Sequence, residues 1–157
     1  MIARALVLGL TLLGVVGCGD RYVRGTDIEY TTERQELADL VERYRVAVEQ
    51  RDTDALRALA SRRYYENGST TTDPSDDYDY RGLEQVFIDV QNMVKAVKYE
   101  IELQAIEVLG ERATVDYAYR SQYLLTLGEQ DKWATAADKN RLSFLREDGQ
   151  WRIVSGM

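Results

Sequence analysis

The stretch Lys98-Tyr99-Glu100-Ile101-Glu102-Leu103-Gln104-Ala105 decides how this chain folds. Tyr99, Ile101, Leu103 and Ala105 alternate with charged or polar residues, the period of two expected of a strand with one wet face. Immediately upstream the period is that of a helix. Leu83, Val86, Phe87, Val90, Val94 and Val97 fall on one stripe and predict a helix from about Gly82 to Lys98. The chain changes from helix to sheet at this point.

Downstream, Gly110-Glu111 predicts a turn, and Ala113, Val115, Tyr117, Tyr119 and Tyr123 share the inner face of the next strand. Asp116, Arg120 and Gln122 face outward on that strand. Gly128 breaks the following hairpin, a third strand runs from about Lys132 to Arg146, and Asp148-Gly149 is a strong hairpin signal before Trp151 to Ser155. Upstream, Thr32 is the expected N-cap of a helix that carries Leu37, Leu40, Val41, Tyr44, Ala47 and Val48 as far as about Arg51. A shorter helix capped by Asp52 or Thr53 buries Leu56, Leu59 and Ala60. From Asn67 to Tyr80 a glycine, a Ser/Thr run, the only proline and several aspartates predict a loop. Helices first and a meander after them imply an α+β domain, with the N-terminal helices packed on one face of a curved antiparallel sheet.

The first residues read differently. Met1 to Arg4 make a short positive start and Ala5 to Val16 an almost unbroken apolar run. That run is too short for a bilayer of about 30 Å, which takes about 20 helical residues, so it reads as the core of a signal peptide. Val15-Val16-Gly17-Cys18 resembles the bacterial lipobox, in which a small residue precedes the cysteine that receives the lipid. Val15 stands where leucine is commoner. The resemblance implies a signal peptide over residues 1–17, a lipidated Cys18, a polar tether through residue 32, and a domain over residues 33–157. It also implies a lipid-anchored, extracytoplasmic place in a bacterial envelope, with inner and outer membrane both open. An uncleaved anchor and an ordinary secretory signal are the competing readings.

With 157 residues the chain has room for one domain with a real core. Its formal charge is −7, and loss of residues 1–17, which carry Arg4 and no acid, makes it one unit more negative. Nucleic acid is not an expected partner, because phosphate binding needs a basic stripe. Histidine is absent, which removes the commonest general base and metal ligand, and the single cysteine cannot form an internal disulfide. No metal and no cofactor are expected. Asp73, Asp76, Asp77 and Asp79 invite a calcium reading, but Arg81 stands in a ligand position and no bidentate glutamate follows, so a solvated acidic loop is the expectation.

Tyr44-x-x-Ala47 with Asp52 and Leu56, Arg81-Gly82, and Asp148-Gly149-Gln150-Trp151-Arg152-Ile153 together resemble the nuclear transport factor 2-like (NTF2-like) superfamily. The likeness covers about Glu33 to Gly156 and implies a cone-shaped α+β fold. It is nearly silent on activity, since the superfamily contains isomerases, dehydratases, cyclases, ligand binders and adaptors. Within it, ketosteroid isomerase uses a tyrosine, a protonated aspartic acid and an aspartate base, without histidine. The resemblance sets Tyr44 in the tyrosine's place and Asp73-Pro74 in that of the enzyme's Asp-Pro. The third member departs: Leu142 and Phe144 define the inward face, which puts Asn140 where the acid belongs and Asp138 one inward step earlier. Asparagine can donate to an oxyanion without a raised pKa.

Tyr99, Tyr117, Tyr119, Asp138 and Asn140 are the candidate ligand-binding residues, an aromatic wall with inward polar groups suited to a small apolar ligand. A plain core stripe is the competing reading. Three classes of function follow: a non-catalytic module binding a small molecule or an envelope protein, an isomerase- or dehydratase-type enzyme, and an assembly subunit. The last would fill its pocket with its own side chains and bury Leu124, Trp133 and Ala137 in a homodimer.

Overall fold

Helices α1 (Thr32–Gln50) and α2 (Thr53–Leu59) open the domain, and each boundary has a local cause. The structure, a computed structural model, describes residues 20–68, 74–128 and 130–157. Thr31, one residue before the expected cap, accepts from the Arg34 N–H at 3.1 Å and starts α1. Arg51 ends it in the left-handed conformation at φ 53°. Asp52 then caps α2 by accepting from the Ala55 N–H at 2.9 Å. The predicted stripe is buried at Leu37, Leu40, Val41, Tyr44 and Ala47.

The polar stretch before α1 is not the free tether its composition suggests. Val23 is wholly buried. Its N–H donates to the Ile28 carbonyl at 2.8 Å, the Tyr30 N–H donates to the Arg21 carbonyl at 3.0 Å, and Gly25 turns the chain at φ 76°. The Arg24 N–H donates to the Gln35 side chain at 3.1 Å, which laces the turn to α1. A single buried valine among polar residues carries no period. The packed domain therefore begins near Arg21 rather than at residue 33.

Across the loop, β1 (Tyr65–Glu66) and β2 (Tyr78–Asp79) pair antiparallel and lead into α3 (Tyr80–Met93). Asp79 caps α3 by accepting from Arg81 and Gly82 N–H groups at 2.9 and 3.1 Å, so the helix starts two residues earlier than predicted. Gly82 is required by packing: a Cβ there would lie 2.5 Å from the Tyr78 Cβ. The stripe is also narrower than predicted. Leu83 and Phe87 are buried, Val86 is exposed, and Val94 and Val97 belong to a strand, where β-branched residues are well suited.

Strands β3 (Val94–Leu109), β4 (Arg112–Leu127), β5 (Gln130–Glu147) and β6 (Gln150–Ser155) form an antiparallel meander in that order. Gly110 at φ 61°, and Asp148 and Gly149 at 50° and 78°, make the expected tight turns. An irregularity between Leu103 and Ala105 shifts the phase of β3, so Ile106 rather than Ala105 is the buried inward residue. Helix α1 packs along β3, and Val115, Tyr117, Leu142, Phe144 and Ile153 complete the core from the sheet side. Strand β6 pairs only with Ser143–Glu147 of β5, and residues 130–141 of β5 are exposed throughout.

Candidate functional site

Four elements bring polar groups to one end of the inner sheet face: Tyr44 from α1, Tyr99 from β3, Tyr117 from β4 and Asn140 from β5. The rings of Tyr44 and Tyr99 meet edge to face at 6.2 Å and 88°, and Tyr119 leans on Tyr99 and Tyr117 at 5.7 and 6.3 Å. The Tyr99 and Tyr117 hydroxyls lie 3.5 Å apart, and Tyr44, buried beside them, meets Tyr99 through its ring. Asn140 Nδ2 donates to the Tyr117 hydroxyl at 3.1 Å and to the Gly156 carbonyl at 3.0 Å. The order of alternation along the strands delivers these side chains, because inward positions on β4 and β5 face one another in register, Tyr117 opposite Asn140 and Tyr119 opposite Asp138.

Burial pushes the hydroxyl pKa values of Tyr44, Tyr99 and Tyr117 upward, because the phenolate would lose its hydration. Tyr119 is raised by partial burial and by the Asp138 carboxylate opposite it. All four are neutral hydroxyls in the physiological range, and none is activated as an acid.

This geometry corrects two expectations. The aromatic wall expected to receive a small apolar ligand is closed at its deep end by the phenols themselves: Tyr117 is 0% exposed and Tyr99 4%. Asn140 is also not a free oxyanion donor. Both hydrogens of its amide are taken by Tyr117 and Gly156, and its Oδ1 accepts from the Arg141 N–H at 2.8 Å. Asp138 stays outside the network, exposed, with its Oδ1 accepting from the Lys139 N–H at 2.8 Å. Of the catalytic candidates, Asn140 bonds to Tyr117 and Tyr44 packs on Tyr99 in the same cluster, Asp138 stays outside it, and Asp73 lies outside the described residues. Cys18 lies outside them as well.

Sequence reading missed the clamp beneath Asn140. Glu66 accepts from the Tyr64 hydroxyl at 2.9 Å and from the Gly156 N–H at 2.6 Å, and the Met157 N–H donates to the Tyr64 hydroxyl at 3.0 Å. Gly156 sits at φ 94°, and a Cβ there would lie 2.0 Å from the Arg141 carbonyl oxygen, so only glycine lets the chain cross β5 at this point. A lone glycine after a strand was the only signal available.

The acidic loop has local partners. Asp77 accepts from the Tyr65 hydroxyl at 2.5 Å and from the Gly68 N–H at 3.1 Å, and Asp79 is the α3 cap. Among the described residues no group of three carboxylates, cysteines or histidines is placed to hold a metal ion, and no helix is long and apolar enough to cross a membrane. A groove of about 860 Å³ lies away from the tyrosines, between the Arg21–Asp27 turn, α1 and β3. A shallower depression of about 500 Å³ spans residues 100–102, 118–120 and 137–139. By strand parity its Glu100, Glu102, Ala118, Arg120, Ala137 and Lys139 side chains belong to the outer face, so it does not open on the tyrosines.

No family model and no curated protein matches the sequence. Solved structures do match the fold. A protein from Kribbella flavida is 17% identical with a TM-score of 0.66 over 80% of this chain and 88% of its own. An NTF2-like superfamily protein from Salmonella enterica serovar Typhimurium is 15% identical, with a TM-score of 0.64 over 78% of this chain and 89% of that one. A provisionally named scytalone dehydratase from Novosphingobium aromaticivorans is 12% identical, with a TM-score of 0.66 over 79% and 80% of the two chains. The chain has the NTF2-like fold: helices followed by a curved antiparallel sheet. At these identities the likeness defines the fold alone.

Proposed function

We propose that this protein is a lipid-anchored, extracytoplasmic binding module rather than an enzyme, and that its partner is an envelope protein taken on the open end of the sheet. The observation that carries the reading is Asn140. It stands where the superfamily's isomerase has its acid, and its amide holds Tyr117 to Gly156 instead of facing a reacting group. A tyrosine interior closed by its own hydroxyls leaves no seat for substrate between them. What stays open is the far end of β4 and β5, where Tyr119 is half-buried and β5 is bare.

A small apolar ligand is the second reading, favoured by Tyr119, whose ring leans on two other tyrosines with Asp138 opposite it. Photo-crosslinking in the native host from position 119 or 133, with position 58 on α2 as control, separates the two. A discrete adduct to a protein other than this chain, from 119 and 133 and not from 58, supports the protein partner. A small molecule retained in native mass spectrometry and lost in Tyr119→Ala supports the ligand. Neither adduct nor ligand removes both readings. Anchoring is tested separately: Cys18→Ala should accumulate an uncleaved, unlipidated precursor, and unchanged processing would refute the lipoprotein assignment.

A further inference from the structure

We infer that the bare edge of β5 pairs with the same edge of a second copy, antiparallel about a two-fold axis at Thr135, so that two four-stranded sheets become one. The first observation is the edge itself. Among the described residues no strand pairs with β5 between Gln130 and Arg141 on the side away from β4. Parity shows which backbone groups point there. Glu147 and Gln150 close the two-residue Asp148-Gly149 turn as a hydrogen-bonded pair, so odd-numbered residues of β5 direct their N–H and C=O groups toward β6 and, beyond it, toward the open edge. The N–H groups of Lys139 and Arg141 agree: each is capped by the side chain before it, Asp138 and Asn140, both at 2.8 Å. Gly156 crosses at Arg141, which leaves Asp131 to Lys139 free, a length of about 30 Å.

The second observation is the order of residues along that edge, Asp131-Lys132-Trp133-Ala134-Thr135-Ala136-Ala137-Asp138-Lys139. Turned about Thr135 it complements itself. Lys132 faces the partner's Asp138; Asp131, held in its own chain by Lys95 at 2.9 Å and Thr126 at 3.1 Å, faces the partner's Lys139; Trp133 faces Ala137 and Ala134 faces Ala136. Each matched pair lies on one face of the joined sheet, because partners about a two-fold axis on Thr135 share parity. Thr135 is itself odd-numbered, so at the axis two Thr135 residues exchange N–H···O=C bonds in the narrow geometry that an antiparallel ladder requires. The capped Lys139 N–H then passes from its own Asp138 to the partner's Asp131 carbonyl, which frees Asp138 for the partner's Lys132. Other registers lose this: a one-residue slip, which moves the axis to midway between Thr135 and Ala136, sets Lys132 against Lys139 and Asp131 against Asn140.

The test is a charge exchange read by sedimentation equilibrium on the full chain in density-matched detergent. Lys132→Asp sets aspartate against the partner's Asp138, and Asp138→Lys sets lysine against Lys132, each twice per dimer. Either change should weaken the wild-type dimer about tenfold. An equimolar mixture of the two variants restores both matched pairs and should form heterodimers at near wild-type affinity, as should the double variant with itself. Thr135→Pro removes the central N–H and should leave a folded monomer by circular dichroism, since proline is tolerated on an open edge. A wild-type chain that is monomeric at about 100 μM, or a mixture no tighter than the single variants, would overturn the inference.

Discussion

The two edges of the long sheet region are built in opposite ways. On β3 the backbone is sealed by side chains of α1: the Tyr99 N–H donates to Glu49 at 3.0 Å, the Tyr99 carbonyl accepts from Arg45 at 3.2 Å, and the Val94 carbonyl accepts from Arg51. Arg45 is itself held between Glu42 and Glu49 at 2.8 and 2.6 Å. On β5 no helix does this among the described residues: the Lys139 and Arg141 N–H groups are capped only by the side chains before them, and charged side chains guard the rest of the edge. An unpaired edge is a liability that proteins cover, blunt or use. Here one helix covers one edge, and the other carries a self-complementary charge order.

The strongest way to break this contrast is Gly156→Val. Its Cβ would collide with the Arg141 carbonyl and its φ would be strained, so we expect a loss of about 3 kcal/mol or more in denaturant unfolding, with release of the clamp that ends the open edge. Glu49→Ala should strip the β3 seal, at about 1–2 kcal/mol, and accelerate amide exchange at Tyr99 in particular. If Tyr99 exchanges at an unchanged rate, the helix side chains do not seal that edge.

The seal should also depend on pH. The hydrogen bond from the Tyr99 N–H, and then Arg45, hold the Glu49 carboxyl below its ordinary value. A carboxyl depressed on folding contributes stability that is fully present above its unfolded pKa and is lost as pH falls through the lower folded value. Tyr99 protection should therefore be level at neutral pH and fall only in acid, while Glu49→Gln should show no such acid step. The smallest effect belongs to the outer face beside the open edge. Arg141 grips Asp116 through two bonds at 2.5 and 2.7 Å, yet the guanidinium lies in solvent, so Arg141→Ala should leave the denaturant unfolding midpoint almost unchanged. The change should still let the Asp116 carboxyl, now held low by that guanidinium, return toward its ordinary range in an NMR titration.

Much of the architecture was legible because its causes are local. Leu37 to Ala47 declare their helix by spacing, Asp148-Gly149 its turn by tolerance of positive φ, and Leu142 with Phe144 the inward face of β5 by alternation. Errors arose where a cause was distant or single. Val23 is buried by a turn laced to α1, the irregularity after Leu103 changes phase without any marker, and Val94 obeys helical spacing but lies in a strand. The candidate site was half legible for the same reason. Alternation placed Tyr117 and Asn140 on one face, but that Asn140 serves Gly156 depends on a crossing sixteen residues later in the chain.

By itself the sequence determined the periods, the caps, the tight turns, the lack of histidine and the self-complementary order of charges around Thr135. These are properties of neighbours, whose geometry follows from backbone sterics within a turn or a strand. Only the tertiary structure decided that the tyrosines fill their own cone, that Asn140 is a strut and that the order around Thr135 lies on an open edge. Each of those rests on contacts between segments far apart in the chain, such as Glu49 with Tyr99 and Glu66 with Gly156, which no local pattern encodes.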